Sequence, residues 1–174
     1  MENLIAILPL FPLVGLFLIQ LFNNRSEDGI YRIAMFSVLG IIGSLAVLAV
    51  LWLQNGMGTV AYDGPILYHS KESEFGVSFF LDTYGWIYIM VSTIITALVF
   101  KFSRTYVHRE KGYKRFFGNM IFFYTGLLVV LLSGNLEILF IGWEILGVTS
   151  FFLIGFYRER YLPVKNALKV VSLY

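Results

Sequence analysis

The chain has 174 residues, of which 58% are hydrophobic, 18% aromatic and only 14% charged, with a mean hydropathy of +0.77. That balance is too apolar for an ordinary soluble domain, and a net charge of +2 is too small to point to nucleic acid. The absence of cysteine excludes disulfides, iron–sulfur clusters and thiolate metal sites.

The hydrophobic runs are long enough to cross a bilayer, since a helix needs about 20 apolar residues for roughly 30 Å of hydrocarbon. They do not alternate as barrel strands would, and inside lipid every backbone polar group must be satisfied internally. The sequence therefore predicts an all-α, polytopic transmembrane helix bundle: a single membrane domain over 1–174 with five full spans and the start of a sixth.

The first run, Leu4 to Phe22, carries Pro9 and Pro12 in "LPLFPLVG". It lacks a basic n-region and a small-residue cleavage site, so it reads as a retained helix, kinked by its prolines, rather than a signal peptide. The link "NNRSEDG" makes a tight turn into the second run, Ile30 to Leu53, whose Arg32 lies close enough to the end to snorkel. Residues 54–81 form the longest non-helical segment, with "DGP" as turn chemistry and "VSFFL" as a strand or interfacial piece. The third run spans about Thr83 to Phe102. The basic segment "KFSRTYVHREKGYKR", 101–115, separates it from the fourth, Phe116 to Ser133. Gly134 and Asn135 turn the chain into the fifth run, Leu136 to Tyr157, and Pro163 begins a sixth helix at its first turn.

Lys and Arg near span ends favour the cytoplasmic side. If successive links alternate sides, twelve of the thirteen basic residues share one side, and only Lys71 falls on the other. The expected topology has an external N-terminus, an external loop at 54–81 and a cytoplasmic basic loop at 101–115. The sequon Asn24-Arg25-Ser26 would then face the cytoplasm and carry no meaning for glycosylation.

The chemistry concentrates in the fifth run, "LFIGWEILGV". Glu144 lies about 12 Å from Leu136 and about 20 Å from Tyr157 along a helix, near the hydrocarbon midplane. A charge there costs roughly 3 kcal/mol, so such acids usually line an internal polar path. The bland alternative is a neutral Glu hydrogen-bonded to another helix for packing. Glu137, two turns earlier on nearly the same face, is either a solvated interfacial carboxylate or a vestibule acid passing protons inward. Gly147, one turn beyond Glu144, leaves room for a water or for a close helix neighbour.

Lys165 and Lys169 share a face at i,i+4 spacing. Lys165 snorkels, whereas Lys169 either snorkels or projects inward as a partner in the same polar path. Asp82 reads as an N-cap of the third helix, with an ion-path role as the alternative. The basic segment at 101–115 follows from topology alone, or else binds anionic lipid or an acidic partner subunit. His69 and His108 both sit in polar segments, which does not suit haem ligation inside a membrane. No glycine-rich phosphate loop, Ser/His/Asp set or metal-ligand cluster stands out, so neither a catalytic site for bond-making chemistry nor a cofactor is expected.

These residues carry a family resemblance. "LSGNLEILFIGWEILGVTSFFLIGFYRER", from Leu132 to Arg160, resembles the fourth-to-fifth helix region of the antiporter-like subunits of respiratory NADH:quinone oxidoreductase, particularly the L-type subunit. "LPLFPLVG", "FFLDTYG" and "RFFGNMIFFYTGLLVVL" are similar to that family in the same order. The resemblance implies the N-terminal portion of a proton-translocating subunit of about fourteen helices, a translocase component with no redox centre of its own, in a bacterial inner membrane. Glu144 then matches the family's fifth-helix glutamate and Lys169 a lysine at the start of the sixth helix. The implied partners are other membrane subunits, the lipid bilayer and, in some relatives, a large cytoplasmic subunit. Similar subunits occur in sodium/proton antiporters, membrane-bound hydrogenases and two-component inorganic-carbon uptake systems, and the host complex stays open among these. A non-conducting membrane scaffold is the reading of another class.

Overall fold

The computed structural model describes residues 2–23, 26–54, 56, 58–69 and 74–173. Asn24 and Arg25 of the sequon, and Lys71, lie outside them. The described residues form seven helices and a hairpin, in chain order α1 (Glu2–Ile7), α2 (Leu10–Leu21), α3 (Glu27–Gln54), β1 (Val60–His69), β2 (Glu74–Leu81), α4 (Thr83–Tyr106), α5 (Tyr113–Leu132), α6 (Leu136–Ile154) and α7 (Tyr161–Leu173). Among the described residues, five stretches are long and apolar enough to cross a membrane: Asn3–Leu21, α3, α4, α5 and α6.

Local chemistry sets the element ends. Pro9 and Pro12 remove two amide donors, so the first span breaks between α1 and α2; Leu8 reaches back to the Ile5 carbonyl over a tighter turn at 3.2 Å. Pro9 itself keeps helical angles, φ −67° and ψ −19°, so the break bends the span rather than ending it. Helix α3 starts at Glu27, three residues before the hydrophobic run, because Glu27 and Asp28 in its first turn complement the helix dipole. Likewise α4 and α5 extend into the basic segment, and the link between them shrinks to residues 107–112. Asp82 caps α4, its Oδ1 accepting from the Gly85 amide at 2.7 Å. Asn135 caps α6, accepting from the Ile138 amide at 2.9 Å.

The segment between α3 and α4 departs from a purely helical fold. It forms an antiparallel hairpin in which Val60 pairs with Leu81 and Asp63 with Ser78, with register shifts beyond Asp63. Backbone groups shielded from water need partners, and the end of the helix pair α5–α6 supplies some of them. The Gly134 amide donates to the Ser78 carbonyl at 2.9 Å, and Asn135 Nδ2 donates to the Gly76 carbonyl at 2.8 Å. One asparagine thus starts α6 and fastens the hairpin.

Ile19, Ile30, Ile41, Leu48, Ile89, Phe100, Phe117, Ile121 and Leu128 form the centre of the core, each almost fully buried. Within it, Tyr124 OH and Thr93 Oγ1 are hydrogen-bonded at 2.6 Å, joining α5 to α4. Helices α5 and α6 pack closely through two glycines. A Cβ added at Gly142 would lie 2.9 Å from the Val130 nitrogen and 3.1 Å from the Gly126 oxygen, and one at Gly126 would lie 3.2 Å from the Gly142 oxygen. Only hydrogen fits there, which is how small residues bring membrane helices together.

The far ends of α2, α4 and α6 meet the near ends of α3, α5 and α7. Arg104 Nη2 pairs with Asp28 at 2.9 Å, His108 Nδ1 with Glu27 at 2.6 Å, Lys114 Nζ with the Gln20 and Phe22 carbonyls at 2.9 Å each, and Arg115 Nη2 with the Phe156 carbonyl at 3.0 Å. Every Lys and Arg among the described residues belongs to this half of the chain's helices, leaving the hairpin end without a cation there.

Candidate functional site

Helix α6 presents two different sides. Ile138, Gly142 and Thr149 are buried, and this side meets α5 at the glycine contact. The opposite side is uncovered: Glu137, Phe140, Ile141, Glu144, Val148 and Phe152 are all exposed at three- and four-residue intervals, forming one stripe along the helix. Two carboxylates therefore stand on an otherwise apolar stripe, about 10 Å apart along the axis. The side chains of Glu137 and Glu144 have no hydrogen bond or ion pair with any described residue. Among the described residues there is neither a packing partner for a neutral Glu144 nor a counter-ion for an ionised one.

Lys169 lies on α7, whose Ala167 is buried close to Gly155 at the end of α6. Its own side chain is exposed and shares an outer groove with Lys165 and Tyr161. Lys165 Nζ sits 5.5 Å over the Tyr161 ring. No ion pair joins Lys169 to Glu144 among the described residues. Asp82 is set apart from both, at the hairpin end, and its carboxylate is occupied by the α4 cap.

A family model described as "NADH-Ubiquinone oxidoreductase (complex I), chain 5 N-terminus" matches residues 68–117. NADH-quinone oxidoreductase subunit L of Escherichia coli is 27% identical over 99% of this chain and 28% of its own length. Its counterpart from Neisseria meningitidis is 33% identical over 91% of this chain and 24% of its own. The chain is homologous to the N-terminal region of complex I subunit L. NADH-ubiquinone oxidoreductase chain 5 of Hylobates lar matches a shorter stretch, 36% identical over 50% of this chain and 14% of its own. The chain spans about a quarter of the length of the subunit L proteins it matches. With five helices of spanning length and apolarity, it is a multi-pass integral membrane protein.

The residues that position Glu144 are ones that sequence reasoning passed over. Gly147 drew attention by its spacing from Glu144, yet it is Gly142, two residues before the acid, that seats α6 on α5. That contact fixes the helix's rotation and so turns the acidic stripe outward. The signal was present in the small-residue positions of both helices, but a glycine reveals its partner only once the facing helix is placed. The Arg104–Asp28 ion pair and the His108–Glu27 hydrogen bond join residues 76 and 81 positions apart and had no sequence signature.

Proposed function

We propose that this chain forms the N-terminal part of a proton-translocating, antiporter-like subunit in a multisubunit membrane complex of the NADH:quinone oxidoreductase type, and that Glu144 is its switchable proton site. The observation that carries this reading is the uncovered stripe of α6: two acids in a spanning helix with nothing in the described chain to neutralise them. Facing acyl chains, an ionised Glu144 would be costly. Further helices of the same subunit, or of a neighbouring one, are therefore expected to cover the stripe and supply both a polar route and a cation.

Lys169 is proposed as a cation of that route and Glu137 as the acid that meets water at its rim. The basic end of the bundle faces the cytoplasm and the N-terminus lies outside, as positive residues near span ends favour. An ammonium approaching Glu144 stabilises the carboxylate, and its withdrawal favours the neutral acid. A buried carboxylate left without its partner is destabilised by about 3 kcal/mol or more, while moving one charge across 100 mV takes about 2.3 kcal/mol. A change in pairing is thus matched to the work of moving a proton against a membrane potential.

Replacing Glu144 with Gln in the complete complex tests this. Proton movement, followed by a pH-sensitive dye in sealed vesicles, should fall at least about tenfold, a loss of about 1.4 kcal/mol or more in the limiting step. Undiminished proton movement in a normally assembled complex would leave the acid a structural group and the chain a scaffold.

A further inference from the structure

A groove of about 750 Å³ opens at the basic end of the bundle, between α2 and the start of α5. Arg109, Lys111, Lys114 and Arg115 line it against a single carboxylate, Glu110, a surplus of three positive charges. Two of these cations are fixed. Lys114 donates to the last carbonyls of α2, and Arg115 donates to Phe156 with its guanidinium 5.5 Å from that ring. Neither is exhausted, since an ammonium has three donors and a guanidinium five. The Arg109 and Lys111 side chains are exposed and have no ion pair with a described residue. The cations thus form a fixed back wall with two free arms in front.

Deeper in, the lining changes character. Leu16 from α2 and Phe122 from α5 flank the groove on helices that run into the membrane. Between the cations and Phe122 lies Asn119, half-buried and with no hydrogen bond from its side chain to a described residue. It is one helical turn past Arg115, about 6 Å further along the axis. Cations at the mouth, an amide one turn below and apolar walls beneath reproduce the order of groups in one molecule: phosphate, glycerol ester, acyl chain. A soluble phosphate would use only the mouth.

We infer that this groove seats an anionic phospholipid, its phosphodiester among the four cations, its glycerol ester level with Asn119 and an acyl chain against Leu16 and Phe122. Native mass spectrometry of the full-length protein in detergent, titrated in turn with phosphatidylglycerol and phosphatidylcholine, tests the assignment. One phosphatidylglycerol should be held in clear preference to phosphatidylcholine, and millimolar inorganic phosphate should not displace it. Removing a charge near a membrane surface weakens binding about fivefold, so Arg109→Asn with Lys111→Gln should weaken it about 25-fold at unchanged melting temperature. Asn suits the positive φ of 63° at Arg109. Lys111→Gln alone, expected to cost about fivefold, keeps the test valid if the double variant folds poorly. Equal retention of the two lipids, displacement by phosphate, indifference to both variants, or an acidic polypeptide filling the groove in the intact complex would each overturn the inference.

Discussion

Helices α4 and α6 are both spans with one side packed and one side bare, and the bare sides differ in kind. From Tyr84 to Leu98 the exposed residues of α4 are Tyr84, Ile87, Tyr88, Met90, Val91, Ile94, Ile95 and Leu98, a surface that suits acyl chains as it stands. The bare side of α6 is equally apolar in its neighbours, Phe140, Ile141, Val148 and Phe152, but Glu137 and Glu144 interrupt it. Exposure of an apolar residue in a spanning helix needs no explanation, because lipid is its solvent. Exposure of a carboxylate does, because lipid cannot solvate it. The bare side of α4 thus suits lipid as it stands, whereas that of α6 suits protein or water.

The sharpest way to break this contrast is to exchange the chemistry of the two faces. Ile94→Glu places an acid on the α4 surface and should destabilise membrane insertion of the full-length protein by about 3 kcal/mol. Glu144→Leu should cost markedly less than that. Thermal melts of both variants in lipid nanodiscs check the pair, and equal losses would mean that the two faces share one environment.

A smaller effect tests what holds the acidic stripe in place. Gly142→Ala puts a methyl group 2.9 Å from the Val130 nitrogen, which backbone cannot yield without parting the helices. A loss of about 2 kcal/mol is expected, read as a lowered melting temperature. The smallest effect concerns the packed side of α4. Tyr124→Phe removes the partner of Thr93, whose hydroxyl keeps its bond to the Ile89 carbonyl at 2.6 Å. A cost of about 0.6 kcal/mol, typical of an interhelical hydrogen bond in a membrane, should appear in the same melts.

Much of the architecture was legible residue by residue. Hydropathy located all five spans, since length and apolarity are properties of a segment alone. Asn135 was legible only as part of a turn, whereas Asp82 marked a helix start through a local hydrogen bond three residues ahead, also visible without a partner. The prolines at 9 and 12 located the break in the first span for the same reason. Less was legible where two segments must meet. The polar stretch before α4 has turn chemistry and one β-rich run, but its pairing with Val60–His69 and its anchoring on Gly134 and Asn135 depend on the end of a helix pair over fifty residues away.

The sequence by itself determined where the chain can cross a bilayer, which links carry its positive charge and which helix holds a costly acid, because hydration and local hydrogen bonding act on each segment in isolation. Only the tertiary structure decided that Glu144 and Glu137 point away from the bundle, that Gly126 and Gly142 set that direction, and that Arg109 through Arg115 converge with Leu16 on one groove. Rotation of a helix about its axis costs nothing until a neighbour fills its gaps, and packing against α5 is what chose the angle.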